Sequence, residues 1–300
     1  MRRTLLIFVD GLGIGTRGEH NPLARLGDTA APLAVFADED ATLPHDGLLA
    51  RTDACLGVQG RPQSASGQTT ILTGINAPAL LGYHKQGFPN EAMREIIREH
   101  SIFLQLKRAR IEPNTFANAY TPRFFETRPR WVSATTVAVE AAGLPFRRLE
   151  DLQQGAAVYQ DFTNALVIEA GYDVPARTPM EAADALAALV SAHRFTLYEY
   201  FITDRVGHAQ DMDAALRVIA NLARFVRAVL ERVDLSDTTV ILTSDHGNVE
   251  DLSLRNHTRN LVPTLAWGAC RATVQRRVRT LADITPAIIE TLTAKEATHA

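Results

Sequence analysis

Three acids and three histidines in this 300-residue chain stand beside short apolar runs. Asp10 ends TLLIFVD, TLYEYFITDRVGH carries Asp204 and His208, TVILTSDHGN carries Asp245 beside His246, and RNHTRN places His257 just ahead of a further apolar run. Singly, each reads as a turn or a helix cap, because Asp-Gly and Asp-His-Gly-Asn suit tight turns and Asp caps helices. Jointly they offer the oxygen and nitrogen ligands that hold Mn2+ or Zn2+. Hydrolytic chemistry on such a centre also needs a nucleophile. Ser64, in RPQSASGQTTILTG, precedes a run that reads as a helix start, where the positive end of the dipole and a neighbouring cation would favour its alkoxide. Ser66 and Thr69 are rivals on chemistry alone.

These residues share a place only if the fold gives them one. Short apolar runs alternate with helical patterns, which predicts an α/β fold built on a doubly wound, mostly parallel sheet sandwiched by helices. Strands are expected at 4–9, 114–120, 196–202, 238–243 and 261–267, and helices at 90–109, 179–193, 211–233 and 285–293. Within 211–233, Ala215, Ile219, Leu222, Val226, Val229 and Val233 recur at three- and four-residue steps, the stripe of a helix with one buried face. Thr285 is expected as the cap of the last helix, with Pro286 at its first position. In a doubly wound sheet, ligands sit beyond the carboxyl ends of the strands, where the six acids and histidines cluster. Residues 15–50 read as loop and irregular structure. Residues 121–177 read as a small cap or insertion within one 1–300 domain, too short to bury much core of its own.

Composition narrows the rest. At 46% hydrophobic and 22% charged, with a net charge of −3, the chain has the balance of a soluble globular protein. Its arginines are dispersed except around 123–130 and 271–279, so nucleic acid is not an expected partner. No apolar run approaches the ~20 residues of a membrane span. The opening MRRTLLIFVDGLG has the basic start of a leader, but its apolar run is short and meets Asp10, so it is expected to be the first strand. Cys55 and Cys270, far apart and outside any CxxC spacing, point to a reduced, cytoplasmic compartment without a thiolate metal site. Nothing in the sequence bears on oligomeric state.

The motifs VDGLGIG, PQSASGQT, DRVGH, SDHGN and NHT, in this order from residue 5 to about 267, resemble the alkaline phosphatase superfamily, specifically its branch of cofactor-independent phosphoglycerate mutase and phosphopentomutase. The resemblance implies an alkaline-phosphatase-like core and two divalent ions, Mn2+ or Zn2+, with the mutase-like motifs favouring Mn2+. Asp204, His208 and His257 would hold one ion. Asp10, Asp245, His246 and the oxygen of Ser64 would hold the other. Ser64 is preferred over Ser66 because the family nucleophile stands three residues before a glycine, here Gly67. The implied activity is phosphoryl transfer through a phosphoserine on a small phosphorylated molecule, as a phosphatase or phosphodiesterase. A phosphoglycerate or sugar-phosphate mutase is the alternative, and a catalytically silent metal-binding protein a further one.

Two departures weigh against the mutase. Gln68 stands where the mutases usually have His, and 121–177 is far smaller than the second domain that supplies their substrate arginines. Ser64 also lacks the setting of a sulfatase nucleophile. Substrate contacts are expected from His84 and Lys85 in YHKQG, from Arg123, Arg128 and Arg130 in TPRFFETRPRW, and from Arg205 and Arg259 inside the metal motifs, since guanidinium forks suit phosphate.

Overall fold

The computed structural model describes residues 1–127 and 129–294. Its centre is a six-stranded sheet of β1 (Arg3–Val9), β2 (Leu48–Thr52), β3 (Asn114–Phe116), β4 (Phe195–Tyr200), β5 (Thr238–Thr243) and β6 (Val262–Gly268), ordered β2-β6-β5-β1-β4-β3. β1 pairs in parallel with β4 and β5, and β3 pairs in parallel with β4, whereas β6 and β2 run antiparallel at the other edge. The mostly parallel sheet expected from the alternation is present, with an antiparallel flank added.

Both faces are covered, which is why the central strands read as continuous apolar runs. In β1, Leu5, Ile7 and Val9 enter one core and Leu6 and Phe8 the other. The first core lies under the Pro179–Ala192 and Met212–Arg232 helices, which pack on one another. The Met212–Arg232 helix begins where Asp211 accepts the amide of Ala214, and it buries Ala215, Ile219, Leu222, Val226 and Val229 as the stripe predicts. The second core is built by helices Ser64–Thr73, Glu91–His100, Ile102–Arg108, Ala134–Ala142 and Ile284–Thr293.

Several expectations are corrected. The 90–109 pattern forms two helices broken at Ser101, whose ψ of 148° is extended. Residues 15–50 include the Pro22–Leu26 helix and lead into edge strand β2. The strand expected at 114–120 stops at Phe116. Thr285 is not the cap of the last helix. Asp283 takes that position, while the Thr285 hydroxyl donates to the Ile71 carbonyl at 2.7 Å, tying this helix to the one bearing Ser64.

The 121–177 stretch divides. Ala134–Ala142 starts at Ser133, whose hydroxyl accepts the amide of Thr136, and its buried face belongs to the second core. Residues 149–174 instead gather a small cluster of Leu152, Ala157, Val167 and Val174 around Ala119.

Candidate metal centre

The carboxyl ends of β1, β4 and β5 meet along one edge. The β1–β4 pairing extends one residue past the strand, with the Asp10 amide donating to the Tyr200 carbonyl at 2.9 Å, so Asp10 emerges directly beside the segment that carries Asp204. Gly11 follows with φ of +71°, and a Cβ there would stand 2.8 Å from that of Asp204. Glycine therefore serves both the left-handed turn and the close approach of the two acid-bearing loops. After β5, the Ser244 hydroxyl accepts the Leu12 amide and donates to the His246 carbonyl, fixing the β1 and β5 loops to each other. Gly67, in the helix opened by Ser64, presses on Asp245 so closely that a Cβ would lie 2.9 Å from its Cβ. A side chain at 67 would push the serine away from the acid.

Two triads result. Asp10, Asp245 and His246 form a buried one, with His246 Nε2 at 3.2 Å from Asp10 Oδ1 and 3.6 Å from Asp245 Oδ2. Asp204, His208 and His257 form a second, with His208 Nε2 at 3.3 Å from Asp204 Oδ2, His257 Nε2 at 3.2 Å from His208 Nε2 and 3.6 Å from Asp204 Oδ1. Ligand atoms placed tetrahedrally about 2.0–2.2 Å from a common ion stand roughly 3.4 Å apart, so both triads have the spacing of a cation site. The rings of His246 and His257 stack at 3.6 Å, which joins the triads, and Ser64 Oγ lies 3.0 Å from His246 Nε2.

The electrostatics suit a positive ion. Burial, then repulsion from Asp204, pushes the Asp10 carboxyl well above the usual carboxylate range, and burial followed by repulsion from Asp10 does the same to Asp245. Asp10 Oδ1 is buried without a hydrogen-bond partner among the described residues. Acceptors concentrated this way are costly until a cation compensates them. His208 and His257 are oriented for ligation, since Nδ1 of each points at a carbonyl, Arg255 at 2.7 Å and Pro62 at 2.9 Å. A carbonyl only accepts, so the proton sits on Nδ1 and the Nε2 lone pair is free. Burial, reinforced by His246, lowers His257 to about 4 and keeps it neutral. His246 Nδ1, in contrast, is buried with no hydrogen-bond partner among the described residues.

Glu250 was not foreseen. Its buried carboxylate accepts from the Gly13 and Asn248 amides, the Thr258 hydroxyl and the Asn260 side-chain amide. It thus ties together the loops after Asp10, after His246 and after His257. Asn248 adds a 2.7 Å bond from Nδ2 to Asp204 Oδ1. Gln68, the departure from the mutase pattern, donates to Asp245 Oδ2 at 3.2 Å.

Comparison with known proteins sets this geometry beside known metalloenzymes. A profile of the Metalloenzyme superfamily matches residues 154–296, which include five of the six triad residues apart from Asp10. This part of the chain is thus similar to the metalloenzymes of that superfamily. It is 31% identical over 128 residues to a 2,3-bisphosphoglycerate-independent phosphoglycerate mutase of Desulforudis audaxviator, covering 40% of this chain and 25% of that protein. A mutase of the same description from Ehrlichia ruminantium is 27% identical over 135 residues, covering 42% and 27%. The matches thus span about a quarter of the length of these curated relatives. In fold, the chain is similar to a protein from Pyrococcus horikoshii, with a TM-score of 0.56 at 15% identity over 100% and 99% of the two chains. It is also similar to the alkaline phosphatase of the Antarctic bacterium TAB5, with a TM-score of 0.50 at 13% identity over 98% of each chain.

Within this superfamily fold, the open triad faces a cleft of about 610 Å³ lined by Ser64, Gln63, Arg61, Gln86, Asn256 and the triad itself. Arg61 is the basic side chain in that lining, and it lies inside the RPQS motif where proximity to Ser64 could have singled it out. The substrate candidates are placed elsewhere. His84 Nε2 faces the Val58 carbonyl, Lys85 Nζ bonds the Gln86 carbonyl, and Arg259 Nε bonds the Gly60 carbonyl. Arg123 and Arg205 are exposed outside the cleft lining, and Arg130 lies over the Trp131 ring. Arg128 is outside the described residues.

Proposed function

We propose that this chain is a phosphoryl-transfer enzyme that uses Ser64 as its nucleophile and two divalent cations, Mn2+ or Zn2+, to hydrolyse a small phosphorylated substrate. The observation that carries the reading is the position of Ser64. Its Oγ is within 3.0 Å of the buried triad, it lines the cleft of the open triad, and it begins a ten-residue helix whose positive end favours an anion.

Asp10, Asp245, His246 and Ser64 would hold one ion and Asp204, His208 and His257 the other. Bound there, the cations would neutralise the phosphoryl oxygens and lower the pKa of the serine hydroxyl. The residues do the rest. Ser64 gives up its proton to solvent in the open cleft and attacks phosphorus in line, the bond from phosphorus to the ester oxygen breaks, and that oxygen takes a proton from solvent and leaves as the alcohol. Water then attacks the phosphoserine, frees phosphate and restores Ser64. Arg61, at the cleft wall, is positioned to pair with the non-reacting oxygens. Glu250 and Asn248 keep the ligand loops in register.

Hydrolysis is favoured over internal transfer because the open triad is accessible to solvent: the His208 side chain is 42% exposed. A mutase must keep its phosphoserine from water, and residues 121–177, which we take as the cap of a single 1–300 unit, are small for that task. The mutase reading draws support from the curated relatives. The two free cysteines fit a reducing, cytoplasmic setting, and no described helix is long and apolar enough to cross a membrane.

The test is a panel of phosphomonoesters, phosphodiesters and 3-phosphoglycerate with protein stripped and reloaded with Mn2+ or Zn2+, beside Ser64→Ala. Metal-dependent release of phosphate or alcohol, lost in the variant, is the expected result. Isomerised phosphoglycerate would establish the mutase, and bound metal without turnover would favour the silent metal-binding protein.

A further inference from the structure

A second cavity, of about 270 Å³, opens next to the metal cleft and has a different chemistry. Phe88, Tyr120, Phe124, Trp131 and Phe201 wall it, and Asn118 and Glu199 form its floor. Two features tie it to the reaction site. Gln86 and Gly87 line the metal cleft and the next residue, Phe88, lines this one. Beneath the floor, Glu199 and Gln68 both border one packing gap too small for water, and Gln68 bonds Asp245.

The pocket is built rather than incidental. Asn118 Nδ2 donates to the Glu199 carbonyl at 2.8 Å, and the Glu199 amide returns a bond to Asn118 Oδ1 at 2.9 Å, so the floor is rigid beyond the end of the β3–β4 ladder. Tyr120 packs at 4.4 Å on Phe124 and 4.9 Å on Phe146, holding the aromatic wall, and its hydroxyl is bonded to Thr136. Trp131 and Phe88 are 54% and 46% exposed at the mouth, an exposure that large apolar side chains show at binding surfaces. No Lys or Arg lines it among the described residues. Glu199, the sole acid among the described residues of the lining, takes a hydrogen bond from the Thr135 hydroxyl, and burial pushes it up to about 8, which favours its protonated form at neutral pH.

We infer that this pocket receives an uncharged aromatic ring carried by the substrate's ester oxygen, making aryl or heteroaryl phosphoesters the preferred substrate class. The inference rests on the phosphoryl-transfer reading. Ligand pockets usually run to about 300–1,000 Å³, so this one has room for one or two rings and not for a long chain. Aromatic walls reward a ring through offset and edge contacts. A phosphoglycerate, whose organic part is a charged carboxylate, would meet apolar walls and a neutral floor.

The test has two arms. First, phenyl phosphate and ethyl phosphate are compared on the metal-loaded enzyme and on Phe124→Ala; phenoxide is the better leaving group on either, so the readout is the phenyl-to-ethyl ratio of kcat/KM, expected to fall about tenfold in the variant. Second, phenol is titrated into metal-free protein while tryptophan fluorescence is read. Trp131 sits at the pocket and Trp267 is fully buried, so quenching is expected in the parent and lost in Trp131→Phe. A phenyl-to-ethyl ratio unchanged in Phe124→Ala, with no quenching in the parent, would overturn the inference and leave the phosphoryl-transfer reading standing. Quenching without turnover of either ester would overturn that reading and show a ring-binding pocket without it.

Discussion

The two triads are built from the same residue types and differ in what surrounds them. Asp10, Asp245 and His246 are all buried, and both carboxyls are driven up, first by burial and then by a neighbouring acid, Asp204 for Asp10 and Asp10 for Asp245. In the other triad His257 is buried, Asp204 half-buried and His208 exposed, and all three line the cleft. The contrast assigns different duties to similar ligands. On the reading proposed above, the buried set would bind the tighter, slower-exchanging ion, the one that activates the adjacent Ser64 hydroxyl. An open set can meet the substrate's oxygens and water.

The sharpest way to break this comparison is Ser64→Ala. If the buried triad serves the nucleophile, turnover falls about 10^3-fold or more while the three remaining ligands still hold the buried-site ion, more weakly for want of the Ser64 oxygen, because nucleophile removal abolishes a step that other groups do not replace. Turnover and metal content measured on one preparation decide it, and retained activity would remove Ser64 from the chemistry. The next largest effect separates the triads. Asp245→Ala is expected to lose the buried-site ion, with affinity lowered beyond the roughly 10–100-fold typical of outer-shell changes. His208→Ala is expected to weaken the open site alone and leave one ion per chain. Equal loss from both variants, by metal analysis after dialysis, would mean the sites are not independent.

The same contrast explains what the sequence makes legible. Each triad residue follows or precedes a strand, so a few apolar residues and an Asp or His announce it, and Ser64 is marked by the helix it opens. The central strands declare themselves because both faces are buried. β2 does not, because Leu48–Thr52 is an edge strand, half-buried along most of its length, with Arg51 turned back to the Phe36 and Glu39 carbonyls. Glu250 was hidden for a related reason. An acid in a polar loop reads as solvated, and only the fold reveals that four donors from three segments converge on it. The aromatic pocket is harder still, since Phe88, Tyr120, Trp131 and Phe201 come from segments scattered over more than a hundred residues and share no period.

Glu250 supplies a further test, because it holds loops of both triads. Glu250→Gln keeps the shape but replaces one acceptor oxygen with a donor facing donors. The expected cost is about 1–3 kcal/mol of stability for the unsatisfied groups, read from urea denaturation of the metal-free chain, with metal affinity falling at both sites. A loss confined to one site would show that the loops are held independently.

The smallest expected effect is in pH, and its sign differs between the triads. In the metal-free chain Asp10 and Asp245 hold protons more tightly folded than unfolded. Their contribution to stability is full below the unfolded carboxylate value near 4, and it is lost as pH rises toward the folded values. His257 runs the other way. With its folded value at about 4, below the ordinary one near 6.5, its contribution is full above pH of about 6.5 and lost as pH falls toward 4. A cation competes with protons on the buried carboxyls, so stabilisation by added Mn2+ should grow from pH 5 to 8 by a few degrees in Tm, about the response to 1 kcal/mol in a chain of this size. Asp245→Asn should flatten the loss of metal-free stability on the alkaline side, because its amide does not titrate. Thermal melts with and without Mn2+ across this range check both, and metal stabilisation independent of pH would mean that the buried carboxyls do not hold protons against the ion.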